Sequence, residues 1–77
     1  MKVQVLFFGP LAETAGVEKI EVSEITDTRG LRTYLQECYP FLAKSAWQIA
    51  VNKELSLQNR ELHDGDEIAL LSPFAGG

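Results

Sequence analysis

The chain has 77 residues, one cysteine and a formal net charge of −4. This length accommodates a single domain, residues 1–77. The acidic balance argues against nucleic acid as a partner, because phosphate binding requires a basic face. A single cysteine excludes an internal disulfide, and no apolar run approaches the roughly 18 residues of a membrane span. Since residues 1–5 lack a signal-peptide pattern, we expect a cytoplasmic protein that contacts no membrane.

The N-terminal third of the chain predicts two strands joined by a short helix. Residues 3–8 are β-branched and aromatic with no breaker, which is typical of a strand. A short helix follows, with Pro10 at its first position and Gly16 just past its end. Residues 17–22 alternate apolar and charged side chains, which predicts a second strand at an exposed sheet edge.

The main helix is predicted to begin at Asp27, which has the side chain of a good N-cap. Five residues at helical spacing form one apolar stripe: Leu31, Tyr34, Leu35, Cys38 and Leu42. Pro40 lies near the expected end, with an irregular continuation through Ala43. A thiol on this stripe is expected to be buried, with a high pKa, so Cys38 is interpreted as core and not as a nucleophile.

The second half of the chain predicts three strands, at residues 48–51, 55–57 and 67–71. A tight turn at residues 63–66 precedes the last strand, and Gly65 suits a positive φ there. A sheet of this size with one main helix is covered on one face only. The order of elements therefore predicts an α+β fold, a mixed sheet packed on one main helix.

Alternation along the strands assigns side chains to the two sheet faces. Val3, Val5 and Phe7 are predicted to face the helix, as are Ile68 and Leu70 of the last strand. Four apolar residues then lie on the uncovered face, near the end from which the C-terminal residues leave: Leu6, Phe8, Ala69 and Leu71. Leu55 or Leu57 is expected to join them. Clustered exposed apolar side chains indicate a docking surface for another protein.

The sequence ends in Gly76-Gly77, directly after an apolar run. Two glycines make a thin, flexible tail that fits a narrow channel, and its tip carries a carboxylate. A loose chain end or an expression remnant would look the same. Elsewhere the sequence shows no serine–histidine–carboxylate set, no phosphate-binding loop and no metal-ligand spacing. We therefore expect no metal site, and no catalytic residue beyond the terminal carboxylate.

Motifs along the whole chain resemble the small, sulfur-carrier subunits of molybdopterin synthase, in the MoaD/ThiS family of ubiquitin-like proteins. The matching segments are residues 5–13 with Gly16, Val51-Asn52, residues 62–69 and residues 73–77. The resemblance implies the β-grasp (ubiquitin-like) fold, with the first and last strands side by side in the middle of the sheet. It implies that Phe8, Leu55 and Leu71 dock onto partners, and that Gly77 is the reactive residue with Gly76 as its slender support.

In that family an activating adenylyltransferase uses ATP to adenylate the terminal glycine, and a sulfur donor protein then supplies sulfur for a thiocarboxylate. The resemblance implies that the tail enters the large synthase subunit, within a heterotetramer, and donates sulfur to the pterin precursor, cyclic pyranopterin monophosphate. The chain itself is expected to bind no cofactor. Phe74 is large for a tail residue, and we expect it to anchor the tail at the partner's entrance.

Two further functions remain open from the sequence. The chain could carry sulfur for another pathway, such as thiamine or cysteine synthesis, because thiamine-pathway carriers share the Asp-Gly-Asp turn and the Gly-Gly end. A member of a different class, a ubiquitin-like modifier joined to lysines or a non-covalent binding module, would use the same tail or the same face. Intact mass and conjugate formation distinguish these functions.

Overall fold

Residues 1–72, the part of the chain that the computed structural model describes, form five strands, two α-helices and a 3₁₀ turn. The strands are β1 Lys2–Phe7, β2 Lys19–Ser23, β3 Gln48–Val51, β4 Glu54–Ser56 and β5 Glu67–Leu71. The helical segments are α1 Pro10–Ala15, α2 Thr28–Cys38 and the 3₁₀ turn Pro40–Ala43. The predicted order of elements is confirmed. The predictions for Phe74, Gly76 and Gly77 concern residues outside the described part.

The strands form one sheet in the order β2-β1-β5-β3-β4. The first and last strands, β1 and β5, are neighbours and run parallel, while every other adjacent pair is antiparallel. This mixed sheet packed on one main helix is the β-grasp arrangement, and the edge position of β2 is confirmed. Neither α1 nor α2 has the length and apolar character that a membrane crossing requires, and residues 1–72 contain no other α-helix.

Local sequence explains where the short helix α1 begins and ends. Pro10 occupies its first turn, where the missing N–H is not needed. Gly16 ends it with φ 77°, and its N–H donates to the Ala12 carbonyl at 2.9 Å. Gly9 precedes the helix with φ 56°, which ends β1 one residue earlier than predicted, at Phe7.

The main helix α2 starts at a network of polar side chains. The Asp27 carboxylate accepts the Gly30 N–H at 2.8 Å and the Asn59 side-chain amide at 3.2 Å. Asn59 in turn accepts the Arg29 N–H at 2.9 Å. Thr28 is buried, and its hydroxyl accepts the Arg60 N–H at 3.0 Å. The network therefore caps the helix and fixes the loop that follows β4 against it.

The core lies between α2 and one face of the sheet. Its fully buried side chains come from both layers: Val3, Val5, Val22, Leu31, Leu35, Leu42, Ile49, Val51, Ile68 and Leu70. Trp47 is also part of this core, and its indole N–H donates to the Leu42 carbonyl at 2.7 Å. The Arg32 guanidinium lies 4.1 Å from the centre of the Trp47 ring. No buried side-chain polar atom within residues 1–72 lacks a hydrogen-bond partner.

The predicted burial of Cys38 is wrong, because its side chain is exposed. Tyr34, from the same predicted stripe, is also exposed, and a hydrogen bond with Cys38 raises the pKa of Tyr34. The helix ends at Cys38, and Tyr39 turns inward so that its ring centre lies 5.3 Å from that of Phe7. Tyr39 therefore covers this end of the core, and Cys38 remains in solvent.

We predict that Asp27→Ala lowers the melting temperature by about 5 °C, since it removes the helix cap. Asp27→Asn retains a capping side chain and loses only the charge. Hydrogen bonds from Gly30 and Asn59 lower the pKa of Asp27 below its ordinary value of 3.8. The wild type should therefore melt above Asp27→Asn at neutral pH, with a gap that closes as the pH falls below 3.8 through the folded-state pKa.

Thermal unfolding followed by circular dichroism over this pH range measures both effects. Glu37→Ala, a change of an exposed acid on the same helix, is the control. A pH-independent gap between the wild type and Asp27→Asn would contradict the role of the charge.

Candidate functional site

The face of the sheet opposite α2 carries a straight row of apolar residues across four strands. The row is set by three cross-strand pairs: Leu6 with Ala69, Ala69 with Ala50, and Ala50 with Leu55. Side chains of paired residues lie on the same face, so all four lie opposite the buried Val5 and Ile68. The predicted positions of Leu6 and Ala69 on the uncovered face are confirmed.

Phe8 and Leu71 lie on this face beyond the row, at the end of the sheet from which residues 72–77 continue. Phe7 pairs with Leu70, so the next residue of each parallel strand follows at the same end. Phe8 is 46% exposed and Leu55 is 50% exposed, whereas Leu71 is half-buried. We define these six residues as the open-face patch: Leu6, Phe8, Ala50, Leu55, Ala69 and Leu71.

The sequence left open whether Leu55 or Leu57 joins the patch, and the structure selects Leu55. β4 ends at Ser56, and Leu57 lies beyond it with 76% exposure. Leu57 lines a separate pocket of about 180 Å³ together with Arg29 and Asn59, at the start of α2. Ala50 was not predicted, because its place in the row depends on the register between β3 and β5.

The opposite half of the open face is polar. Gln4 pairs with Glu21 on one side and with Glu67 on the other. The exposed side chains of Lys2 and Glu21 form an ion pair at 3.6 Å. The open face is therefore divided into a mainly apolar half near the ends of β1 and β5 and a charged half near their starts.

A hydrogen-bonded turn at the polar end fixes β5 beside β1. The Asp66 carboxylate accepts the His63 N–H at 2.8 Å and the Asn52 side-chain amide at 2.9 Å, and these bonds lower the pKa of Asp66. Gly65, with φ 84° as predicted, donates its N–H to the Lys2 carbonyl at 2.7 Å. The turn therefore sets the register that brings Phe8 and Leu71 to the same end.

The described residues offer a binding surface without a set of reacting groups. Within residues 1–72 no three or more histidine, cysteine, aspartate or glutamate side chains are placed to hold a metal ion. His63 is largely exposed and lies 3.3 Å from the Glu61 carboxylate. The proposed reactive residues Gly76 and Gly77, and the anchor Phe74, follow the patch in sequence but lie outside the described part.

Comparison with known proteins identifies the family. The model of the ThiS family matches residues 5–77. The chain belongs to the ThiS family. Its match therefore includes the second half of β1, the Asp-Gly-Asp turn and the final Gly76-Gly77.

A curated relative of this ThiS-family chain is the molybdopterin synthase sulfur carrier subunit of Mycobacterium tuberculosis. It is 38% identical over 82 residues, covering 100% of this chain and 99% of that protein. A solved complex of subunits 1 and 2 of the molybdopterin-converting factor from Helicobacter pylori matches with 37% identity and a TM-score of 0.75, covering 100% of both chains.

The small archaeal modifier protein 1 from Methanosarcina acetivorans is a second solved neighbour. It is 28% identical with a TM-score of 0.77, and the match covers 99% of this chain and 96% of that one. The same scaffold is thus found in proteins described as sulfur carriers and in one described as a modifier.

The exposure of Phe8 predicts that Phe8→Asp leaves the fold intact, with a melting temperature within a few degrees of the wild type. Leu70→Asp is the matched control, since Leu70 is fully buried at the neighbouring position of β5 and an uncompensated buried charge should prevent folding. Far-UV circular dichroism and thermal unfolding measure both variants. Unfolding of Phe8→Asp would show that Phe8 belongs to the core.

Proposed function

We propose that this ThiS-family chain is the sulfur-carrier subunit of a molybdopterin synthase. The observation that carries the proposal is the full-length match to the mycobacterial sulfur carrier subunit. The open-face patch supports it, because an exposed apolar surface includes Leu71, at the end of the last strand before the residues that would carry the sulfur. In this proposal the domain docks on another protein and thereby positions its C-terminal residues in that protein's active site.

The proposed partner is the large synthase subunit, in a heterotetramer with two copies of each chain. A carrier needs a complex stable enough to position its tail and weak enough to release it. Each large apolar side chain of the patch contributes roughly 1.5–3 kcal/mol when a partner buries it. Association itself costs several kcal/mol at least. Phe8, Leu55, Leu6 and Leu71 together therefore suffice for docking, whereas one of them would not.

The reactive group in the proposal is the carboxylate of Gly77. A free α-carboxylate has a pKa of about 3.5, so at neutral pH it is ionised and a poor electrophile. An activating adenylyltransferase joins it to the α-phosphate of ATP and releases pyrophosphate. A persulfide sulfur of a donor protein then displaces AMP, which forms an acyl disulfide between Gly77 and the donor. A thiol reductant cleaves the sulfur–sulfur bond and releases the thiocarboxylate and the donor's thiol. The resulting thiocarboxylate passes its sulfur to cyclic pyranopterin monophosphate.

In this scheme the other tail residues contribute through the size of their side chains. Gly76 has no side chain, so it keeps the approach to the large subunit's active site narrow. Phe74 anchors the tail where it enters the partner. The carrier binds no cofactor of its own, since ATP is bound and consumed by the activating enzyme.

A modifier function is the second candidate, because the Methanosarcina neighbour is described as a small archaeal modifier protein. Such a protein would be joined through Gly77 to lysines of other proteins, and would appear in cells as conjugates larger than the free chain. A carrier for the thiamine pathway would bear the same terminal sulfur, and is distinguished by which cofactor is lost when the gene is deleted.

We predict that the chain isolated from its native cells contains a form heavier by the replacement of one oxygen with sulfur. Top-down mass spectrometry should place that change on Gly77. A chain lacking Gly77 should not acquire it and should support no molybdopterin synthesis, while still binding the large subunit through the patch. Normal molybdopterin synthesis without Gly77 would refute the proposal.

The exposure of Cys38 creates a rival site for sulfur, as a cysteine persulfide, that the sequence did not predict. We predict that Cys38→Ser leaves the added sulfur and the synthase activity unchanged. Dithiothreitol provides a second measurement, because it reduces a persulfide and leaves a thiocarboxylate. Loss of the added mass in Cys38→Ser, or on reduction, would place the sulfur on Cys38 instead.

A further inference from the structure

A groove opens at the Phe8 end of the sheet, between β1, the start of α1 and the start of β2. Its volume is about 740 Å³. Apolar and small residues line most of it: Leu6, Phe7, Phe8, Gly9 and Ala12. The Phe7 N–H donates to the Glu18 carbonyl at 2.8 Å, which holds the start of β2 against the end of β1 and closes one side of the groove.

Two acidic side chains, Glu13 and Glu18, stand at the border of the groove. Both also line a second depression of about 320 Å³ beside it, so they lie where the two meet. Both are exposed, and neither forms an ion pair with another residue of the described segment 1–72. Lys19 is the one cationic side chain that lines either depression, so the local charge is negative.

The groove is continuous with the open-face patch, because Leu6 and Phe8 belong to both. An apolar floor next to unpaired carboxylates is complementary to a chain segment in which an apolar side chain stands beside a lysine or arginine. We propose that a segment of this kind on the large synthase subunit occupies the groove, so that the interface extends around the end of β1. This inference rests on the proposed function.

In this proposal the groove and the open-face patch contribute differently to one interface. The patch supplies apolar area, whereas Glu13 and Glu18 recognise a cationic side chain and speed the encounter with it. Because the carboxylates are solvent-exposed, their effect should be screened within a Debye length of about 8 Å at physiological ionic strength. The groove therefore predicts a salt-dependent part of the affinity that the patch does not produce.

The test reverses both charges in the full chain, Glu13→Lys with Glu18→Lys. Binding to the large subunit is measured by surface plasmon resonance between low and high salt. We expect affinity to fall about tenfold at low salt and its salt dependence to flatten. Glu24→Lys with Glu37→Lys is the matched control, since both acids are exposed, outside the groove, and their reversal changes the net charge equally.

The inference would be overturned if the groove variant and the control lost the same affinity and the same salt dependence, because the effect would then come from net charge. It would also be overturned if the groove variant lost affinity for the activating enzyme and kept full affinity for the large subunit. Phe8→Asp reports separately on the patch. If the wild-type chain does not bind the large subunit, the proposed function fails. If the wild type binds and the groove variant binds with unchanged affinity, only the proposed role of the groove is refuted.

Discussion

The parallel pairing of β1 with β5 is the contact on which the rest of the structure depends. It joins the two ends of the sequence in the middle of the sheet and buries Val5 beside Ile68 under the helix. Because the two strands run in the same direction, their C-terminal ends meet at one end of the sheet. The patch residues Phe8 and Leu71 lie at the same end of the sheet for this reason, and Ser72 follows at that end.

The register of this pairing is fixed at the opposite end, by the turn before β5. Lys2 accepts the Gly65 N–H through its carbonyl and donates its own N–H to the Asp64 carboxylate at 2.8 Å. A slip of one residue would turn Ile68 and Leu70 out of the core and Ala69 into it. The hydrogen bonds that specify the site therefore lie far from it, and a partner can cover the patch without disturbing them.

Strand alternation explains why much of the site was predictable. It is a local property, so Leu6, Phe8, Ala69 and Leu71 could be assigned to a face from sequence alone. Alternation in β3 also places Ala50 opposite Ile49 and Val51, but its alignment with Ala69 in one row depends on the register between β3 and β5. The choice of Leu55 over Leu57 also required the structure, since it depends on where β4 ends.

The exposure of Cys38, which the sequence predicted to be buried, shows where helical periodicity stops being informative. Within the helix the predicted stripe holds for Leu31 and Leu35, which are fully buried, and fails for Tyr34 at its border, which is exposed. Cys38 is the last helical residue, and the chain bends before Pro40. Packing of Tyr39 on Phe7 decides the direction of the bend, and this contact joins residues 32 positions apart in sequence.

An exposed apolar patch is a hazard for a domain of 77 residues, whose core is small. The composition of the row reduces that hazard. Ala69 and Ala50 occupy its centre, so the large side chains Leu6 and Leu55 are separated by two strands and present little continuous apolar area. On the β2 side the row ends at Lys19, which pairs with Leu6 and places a charge at the sheet edge.

This arrangement limits the continuous apolar area of the free chain and gives the row a low centre between two leucines. Ala50 is only 6% exposed, so a docked partner would contact the row mainly through Leu6, Ala69 and Leu55. Affinity then depends on complementarity to one shape more than on exposed area. Under the proposed function the chain docks on an activating enzyme and on a synthase subunit in turn, and neither complex should be permanent. The limited apolar area of the row would suit such repeated, reversible docking.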